Sequence, residues 1–372
     1  GANKISYVGG AFATFRGAIA AIGETLTTAN WPSGASPPRL NVKYESGTAY
    51  NSAAVAAADF GTPAETLPFV IEAYSSTPGD LDWRTTTTRA VIDFGTLAAH
   101  GIRIDDVKGL NVYVLNLYLV HASTSSTYSI CYGDTRIRFF NCVLEKSAGN
   151  AQVLPAFRGT ALRTKLIRGV AGDTPIVTLT AGGLLYLCHV YGASSTSCDG
   201  IFVVSAQATV LRTLVERTRT AITISAAGTV ADTTIVTATT AGISLTAAAA
   251  VGAFIQTNVI SGAGAYGIYN GISGAPTEYL MNCGNNIIGV HTSGYVSSTL
   301  ISMLPNTELA VGADLFETSD YRIKSTSAAY GVRRDLPSAA DADASFLDVG
   351  AIMRQRTGGG AVDLPDMMMI GA

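Results

Sequence analysis

The chain has 372 residues and a formal net charge of −3, with 48% hydrophobic but only 14% charged residues. Such a length can bury a large core, and 24 basic against 27 acidic residues leave no basic footprint for nucleic acid. No apolar run reaches the ~18 residues of a membrane span.

Soluble domains usually carry charge on about a quarter of their residues. The shortfall here suits a subunit packed in an assembly, or a repeat protein whose small side chains stack on one another. In chain order, "GANKISYVGG" lacks the basic-then-apolar layout of a secretion signal. Next, "AFATFRGAIAAIG" (11–23) places Phe12, Phe15, Ile19 and Ile22 on one helical face, although Gly17 and Gly23 weaken a helix. It is expected to cap the open end of a core, or else to dock into a partner.

Between residues 90 and 300 the helical period disappears, and short strands rich in Val, Ile, Leu, Thr and Phe alternate in polarity. Three distant stretches share one arrangement, an Asn after a short apolar strand: "VYVLNLYLVHA" (112–122), "IRFFNCVLEKS" (137–147) and "EYLMNCGNNIIG" (278–289). Aligning the intervening sequence gives a column Asn116, Asn141, Thr164, Cys188, Thr213, Thr234, Asn258 and Asn282, recurring every 21 to 25 residues. A second column marks another strand at Ile102, Ile130, Phe157, Ile176, Ile201, Ile222, Ile243, Ile268 and Val290. Coils of this length pair with the coils above and below. A buried Asn at a fixed turn can bridge adjacent coils through its amide, so the first column is expected to form a structural ladder.

The five cysteines, Cys131, Cys142, Cys188, Cys198 and Cys283, form no CxxC and lie in or beside strands. Buried reduced thiols, and folding in a reducing cytoplasm, are expected. At the C-terminus "GGG" (358–360) precedes "AVDLPDMMMIGA". This reads as a hinge and an apolar docking peptide centred on Met367, Met368, Met369 and Ile370.

Acids within the coils are sparse. Asp105–Asp106 reads as a solvated turn, and Glu145 and Arg168 fall at the same offset on successive coils, where they would pair vertically. The catalytic candidates are Asp199, in "CDGI", and Glu216 in the same coil, since glycoside hydrolysis uses two carboxylates. His100, His121, His189 and His291 show no metal-ligand spacing, and no cofactor fingerprint appears. Neither metal nor cofactor is therefore expected. The Ser/Thr-rich loops "HASTSSTYS" (121–129) and "YGASSTSCDG" (191–200) would share an outer face, with Tyr128 and Tyr191 as carbohydrate-contact candidates.

The repeat, together with three further segments, resembles the right-handed parallel β-helix family, the pectate-lyase-like superfamily. "SGTAYNSAAVAAADFGTPAETLPFVIEAYSSTPGD" (46–80) looks like its N-terminal entry, "DYRIKSTSAAYG" (320–331) is similar to its closing segment, and "FLDVGAIMRQ" (346–355) resembles the D-[IV]-G-A ending. "CDGI" faintly resembles a strand entry of polygalacturonase-type hydrolases, whose companion Asp-Asp and Gly-His-Gly motifs are missing.

The resemblance implies an all-β, right-handed parallel β-helix of about 9–11 coils, with an N-terminal cap (1–45), a solenoid (46–335) and a C-terminal extension (336–372). It further implies a non-enzymatic virion component, such as a tailspike, fibre or capsid-surface protein assembled in a host cytoplasm. Partners would be other copies of the chain, for instance in a trimer, other virion proteins and a host-surface glycan. The alternatives are a polysaccharide depolymerase, lyase or hydrolase, and a bacterial cell-surface or extracellular-filament subunit.

Overall fold

The computed structural model describes residues 14–27, 37–61, 68–104, 110–133, 137–193, 197–261 and 264–272, with shorter stretches at 278–280, 282–284, 286–289, 294–296, 300–302 and 306–309. Phe12, Asp105, Asp106, Val290, His291, the 320–331 and 346–355 segments and the Met367–Ile370 peptide lie outside the described residues.

Each pass of the chain lays one strand on each of three faces, and the strands pair in parallel with those of the passes before and after. The first sheet stacks ten strands, from Arg39–Lys43 to Cys283–Gly284. The regular solenoid counts about seven turns, fewer than the 9–11 coils expected. The second sheet runs alongside it from Ala49–Asn51 to Thr307–Leu309. The third face begins with Val55–Ala56, Ile102–Ile104 and Cys131–Gly133 and continues through Pro175–Leu179 and Asp199–Val203. It merges with the second sheet because Leu214–Ile224 and Thr234–Leu245 run across both faces. Strand Arg39–Lys43 already belongs to the solenoid, so the fold starts ahead of the boundary placed at residue 46.

Alternation decides what is buried. On strand Val112–Leu115, Val112 and Val114 point inward while Tyr113 and Leu115 point out, and the same pattern recurs down the stack. The inward residues form one contiguous core that includes Ile71, Phe139, Leu166, Val190, Val215, Ile235 and Ile260. In the second column Ile201, Ile222, Ile243 and Ile268 stand in register, one above the other. Ile130 and Ile176 are each one residue out of it, because Ile102 pairs with Cys131 and Val177 with Ile201. Loop lengths differ between those coils, and spacing alone does not resolve a one-residue slip.

The first and second sheets meet at a corner of one residue in the left-handed region. Seven successive turns carry it, matching a regular solenoid of about seven turns: Asn116 (φ 57°), Asn141 (53°), Arg163 (49°), Leu187 (53°), Arg212 (48°), Asp232 (51°) and Thr257 (56°). Left-handed backbone costs a non-glycine residue roughly 1–2 kcal/mol. The stack offsets this, since the corner N–H bonds a carbonyl of the next turn: Asn116 to Phe140, Asn141 to Leu162, Arg163 to Tyr186 and Leu187 to Leu211.

The N-terminal segment forms helix Phe15–Gly23, with Thr14 accepting from the Gly17 N–H at its start. Phe15, Ile19 and Ile22 are buried in the solenoid core, and Phe15 meets Phe94 edge-on at 6.5 Å. The helix therefore caps its own chain. Arg16 pairs with Asp59 at 3.0 Å outside the contact. Gly23 has a steric role, because a Cβ there would sit 2.1 Å from the Asp59 carbonyl oxygen. All five cysteines are buried thiols outside any disulfide.

Candidate functional site

The repeated Asn arrangement resolves into two different devices. Strand register defines one inward column immediately after the left-handed corner: Leu117, Cys142, Thr164, Cys188, Thr213, Thr233, Asn258, Asn286 and Asn306. Thr164, Cys188, Thr213 and Asn258 of the expected ladder belong to it. Asn116 and Asn141 occupy the corner one residue earlier, and Thr234 lies one residue later, paired with Leu214. Asn282 is exposed, and Asn286 takes the place assigned to it. The "MNCGNNIIG" stretch offers three asparagines, and only register selects the third.

At its C-terminal end the column is an amide ladder. Asn258 Nδ2 donates to Asn286 Oδ1 at 2.9 Å, and Asn286 Nδ2 donates to Asn306 Oδ1 at 2.9 Å. The backbone N–H groups of Thr233, Asn258 and Asn286 each bond the Oδ1 of the next asparagine. Toward the N-terminus the hydroxyls and thiols turn back onto nearby carbonyls, as Thr213 does to Leu211 and Cys188 to Ala161.

Asn116 and Asn141 also bridge adjacent turns, Asn141 Nδ2 donating to Asn116 Oδ1 at 2.8 Å, and from the corner they fasten the 75–89 segment. Asn116 Nδ2 donates to the Leu81 carbonyl, Asn141 Nδ2 to that of Thr86, and the Arg89 guanidinium grips both the backbone oxygen and Oδ1 of Asn141. Trp83 lies 5.2 Å from the Phe140 ring beneath.

The catalytic candidates occupy separate ion pairs. Asp199 opens its strand on the third face and takes two hydrogen bonds from Arg219, at 3.0 and 2.6 Å, while Arg219 also reaches Asp173 at 3.1 Å. Glu216 points out from the second sheet and accepts from His189 Nε2 at 3.0 Å. Burial and the nearby Lys165 ammonium depress the His189 pKa. Tyr191, a strand residue in register with Glu216, is flanked by Lys165 and Arg217, each 5.2 Å from its ring centroid. Its hydroxyl accepts from Arg217.

Tyr128 belongs elsewhere. It meets His100 edge-on at 5.7 Å, and His100 stacks on Tyr132 at 4.6 Å. The two loops therefore do not bring Tyr128 and Tyr191 into one cluster. Among the described residues no group of three or more His, Cys, Asp or Glu could hold a metal ion. No described helix is long and apolar enough to cross a membrane.

The structure also holds a column that sequence reasoning passed over. His121, Lys146 and Arg168 are register partners on successive strands, all three fully buried inside the solenoid. Glu145 and Arg168 consequently do not pair: Glu145 points outward to the Tyr118 hydroxyl, and Arg168 points in. The one-residue slip between the Asn141 and Thr164 positions reverses the alternation that would have matched them. A cation ending a strand beside "AS", "SAG" or "GVAG" reads as solvated, and only the common register exposes the column.

The fold thus defines a parallel β-solenoid with a helical N-terminal cap. No family model, no curated protein and no solved structure matches the chain.

Proposed function

We propose that this protein is a non-enzymatic structural component of a larger assembly, a virion or similar particle, in which copies pack through the outer face of the first sheet. The observation that carries the reading is the chemistry of that face. From Val112–Leu115 to Phe254–Gln256, the two outward positions of each strand include a single charged side chain, Arg138. Leu162, Tyr186 and Leu211 form a row flanked by Leu184, and Phe254 is 40% exposed. A second copy of the same solenoid offers side chains at the same coil spacing and an equally charge-poor face, where Arg138 lies over the Tyr113 ring and Arg212 at the edge is paired with Asp232 and the Tyr186 hydroxyl, so few ions would be desolvated.

The second sheet is different, with Glu145, Lys165, His189 and Glu216 facing out. That chemistry supports a depolymerase as the second reading, with His189 and Glu216 as its candidate proton-transfer pair. A cell-surface filament subunit would use the same first-sheet packing as a virion part.

The test is light scattering on the full chain and on a Leu162→Lys/Leu211→Lys variant. Assembly of the full chain and a monomeric, folded variant support the reading. A monomeric full chain sinks it, and a glycan-cleavage panel with His189→Gln then tests the second reading.

A further inference from the structure

His121 closes the second sheet just before the chain turns onto the third face, and its ring is fully buried. Nδ1 receives two donors, the Ser123 N–H at 3.3 Å and the Lys146 ammonium at 3.3 Å. It must therefore be the acceptor, and the ring proton sits on Nε2, which donates to the Ala99 carbonyl at 2.9 Å. Neutral imidazole with this one tautomer satisfies every contact. Lys146 is equally enclosed, donating to the Ser123 carbonyl as well as to the ring.

The charged and titratable groups around the ring come from each neighbouring element. Lys146 stands on the next turn with Arg168 beyond it, Asp93 ends the preceding strand, and His100 lies in the loop that follows. Asp93 is engaged with the Gly95 N–H at 2.7 Å, and no carboxylate contacts the ring among the described residues. Phe94 covers one side at 6.3 Å. A proton arriving on Nδ1 would displace both donors and set imidazolium against ammonium in a site closed to water.

We propose that His121 is an acid-sensitive latch: the neutral ring holds Lys146 inside the solenoid, and protonation opens the corner between the second sheet and the third face in the turns spanning residues 94–146. The sign follows from the direction of its shift. Burial, with smaller contributions from Lys146 and His100, lowers the His121 pKa from 6.5 to about 4. The unfolded chain then binds the extra proton first, so stability is complete above pH 6.5 and is lost as pH falls toward 4. The loss in the folding equilibrium over that window is on the order of a hundred-fold.

The experiment is hydrogen exchange by mass spectrometry on the full chain at about pH 7 and about pH 4.5, corrected for intrinsic exchange rates. Protection in peptides covering 94–104, 117–123 and 143–147 is expected to fall at least ~ten-fold at the lower pH, with the 229–261 turns unchanged. His121→Gln, whose amide can accept from Lys146 and donate to Ala99 without titrating, should abolish the selective response. Should that variant fail to fold, Lys146→Met should weaken the response by removing the opposed ammonium. A loss spread evenly over all peptides, no loss, or a selective loss that persists unchanged in these variants overturns the proposal.

Discussion

Lys146 and Arg168 stand in register on adjacent strands, both fully buried, and neither has a carboxylate among its hydrogen-bond partners. Arg168 spends its guanidinium on the Thr174 and Asn150 oxygens, and its Nε is left with no partner. Enclosed charge without a counter-ion is costly. Burial, then Arg168, depress the Lys146 pKa from 10.5 to about 8.

Replacing Lys146 by Met should therefore stabilise the protein at pH 7 by about 1–3 kcal/mol. The unfolded chain binds the Lys146 proton more tightly, so wild-type stability rises with pH from about 8 to 10.5. The advantage of Met should shrink across that window. Urea midpoints at neutral and alkaline pH measure it, and a wild type that is the more stable at neutral pH contradicts the assignment.

The amide ladder has a different sensitivity. Asn286→Ala removes the acceptor of both the Asn258 N–H and the Asn258 side-chain amide, and strips the Ile255 carbonyl of its donor. Leaving buried groups unsatisfied costs about 1–3 kcal/mol each. A fall of roughly 2–4 kcal/mol in unfolding free energy is expected, whereas a change under about 0.5 kcal/mol would place Asn286 among ordinary surface positions.

Asn141→Gly keeps a residue suited to the left-handed corner and deletes the amide that fastens the 75–89 segment. The segment should loosen while the corner survives. Tryptic cleavage after the exposed Arg84 should accelerate several-fold, while the melting temperature falls by only a few degrees for the lost Asn141–Asn116 bond. Equal cleavage rates would show that Trp83 and its ring contacts hold the segment by themselves.

Burial raises the thiol pKa values of Cys131, Cys142 and Cys188 to about 12. With all five cysteines buried, the folded chain should react negligibly with a thiol reagent near pH 8, and five equivalents should react in denaturant. Fast reaction of any thiol in the native state would reveal an opening that the fold does not contain.

The fold was readable because its period is written in residues with few substitutes. Ile201, Ile222, Ile243 and Ile268 mark successive turns of the third face correctly, being inward strand residues separated by similar loops. The ladder was readable only in part. Asn116 and Asn141 look like Asn258 in sequence and bond each other as a ladder pair would, yet they stand at the corner and also hold a segment well upstream. Thr233 and Thr234 differ in role but not in type. The buried cations were invisible because composition treats Lys and Arg as surface residues, and only the register of three strand ends reveals otherwise.

Asn, Arg, Leu, Asp and Thr all serve at the left-handed corner, since each hands its N–H to the next turn. Identity there is nearly free while geometry is fixed. The natural unit of length change in this molecule is accordingly one whole pass from corner to corner. Duplicating or excising such a module would lengthen or shorten the rod without rewriting either end.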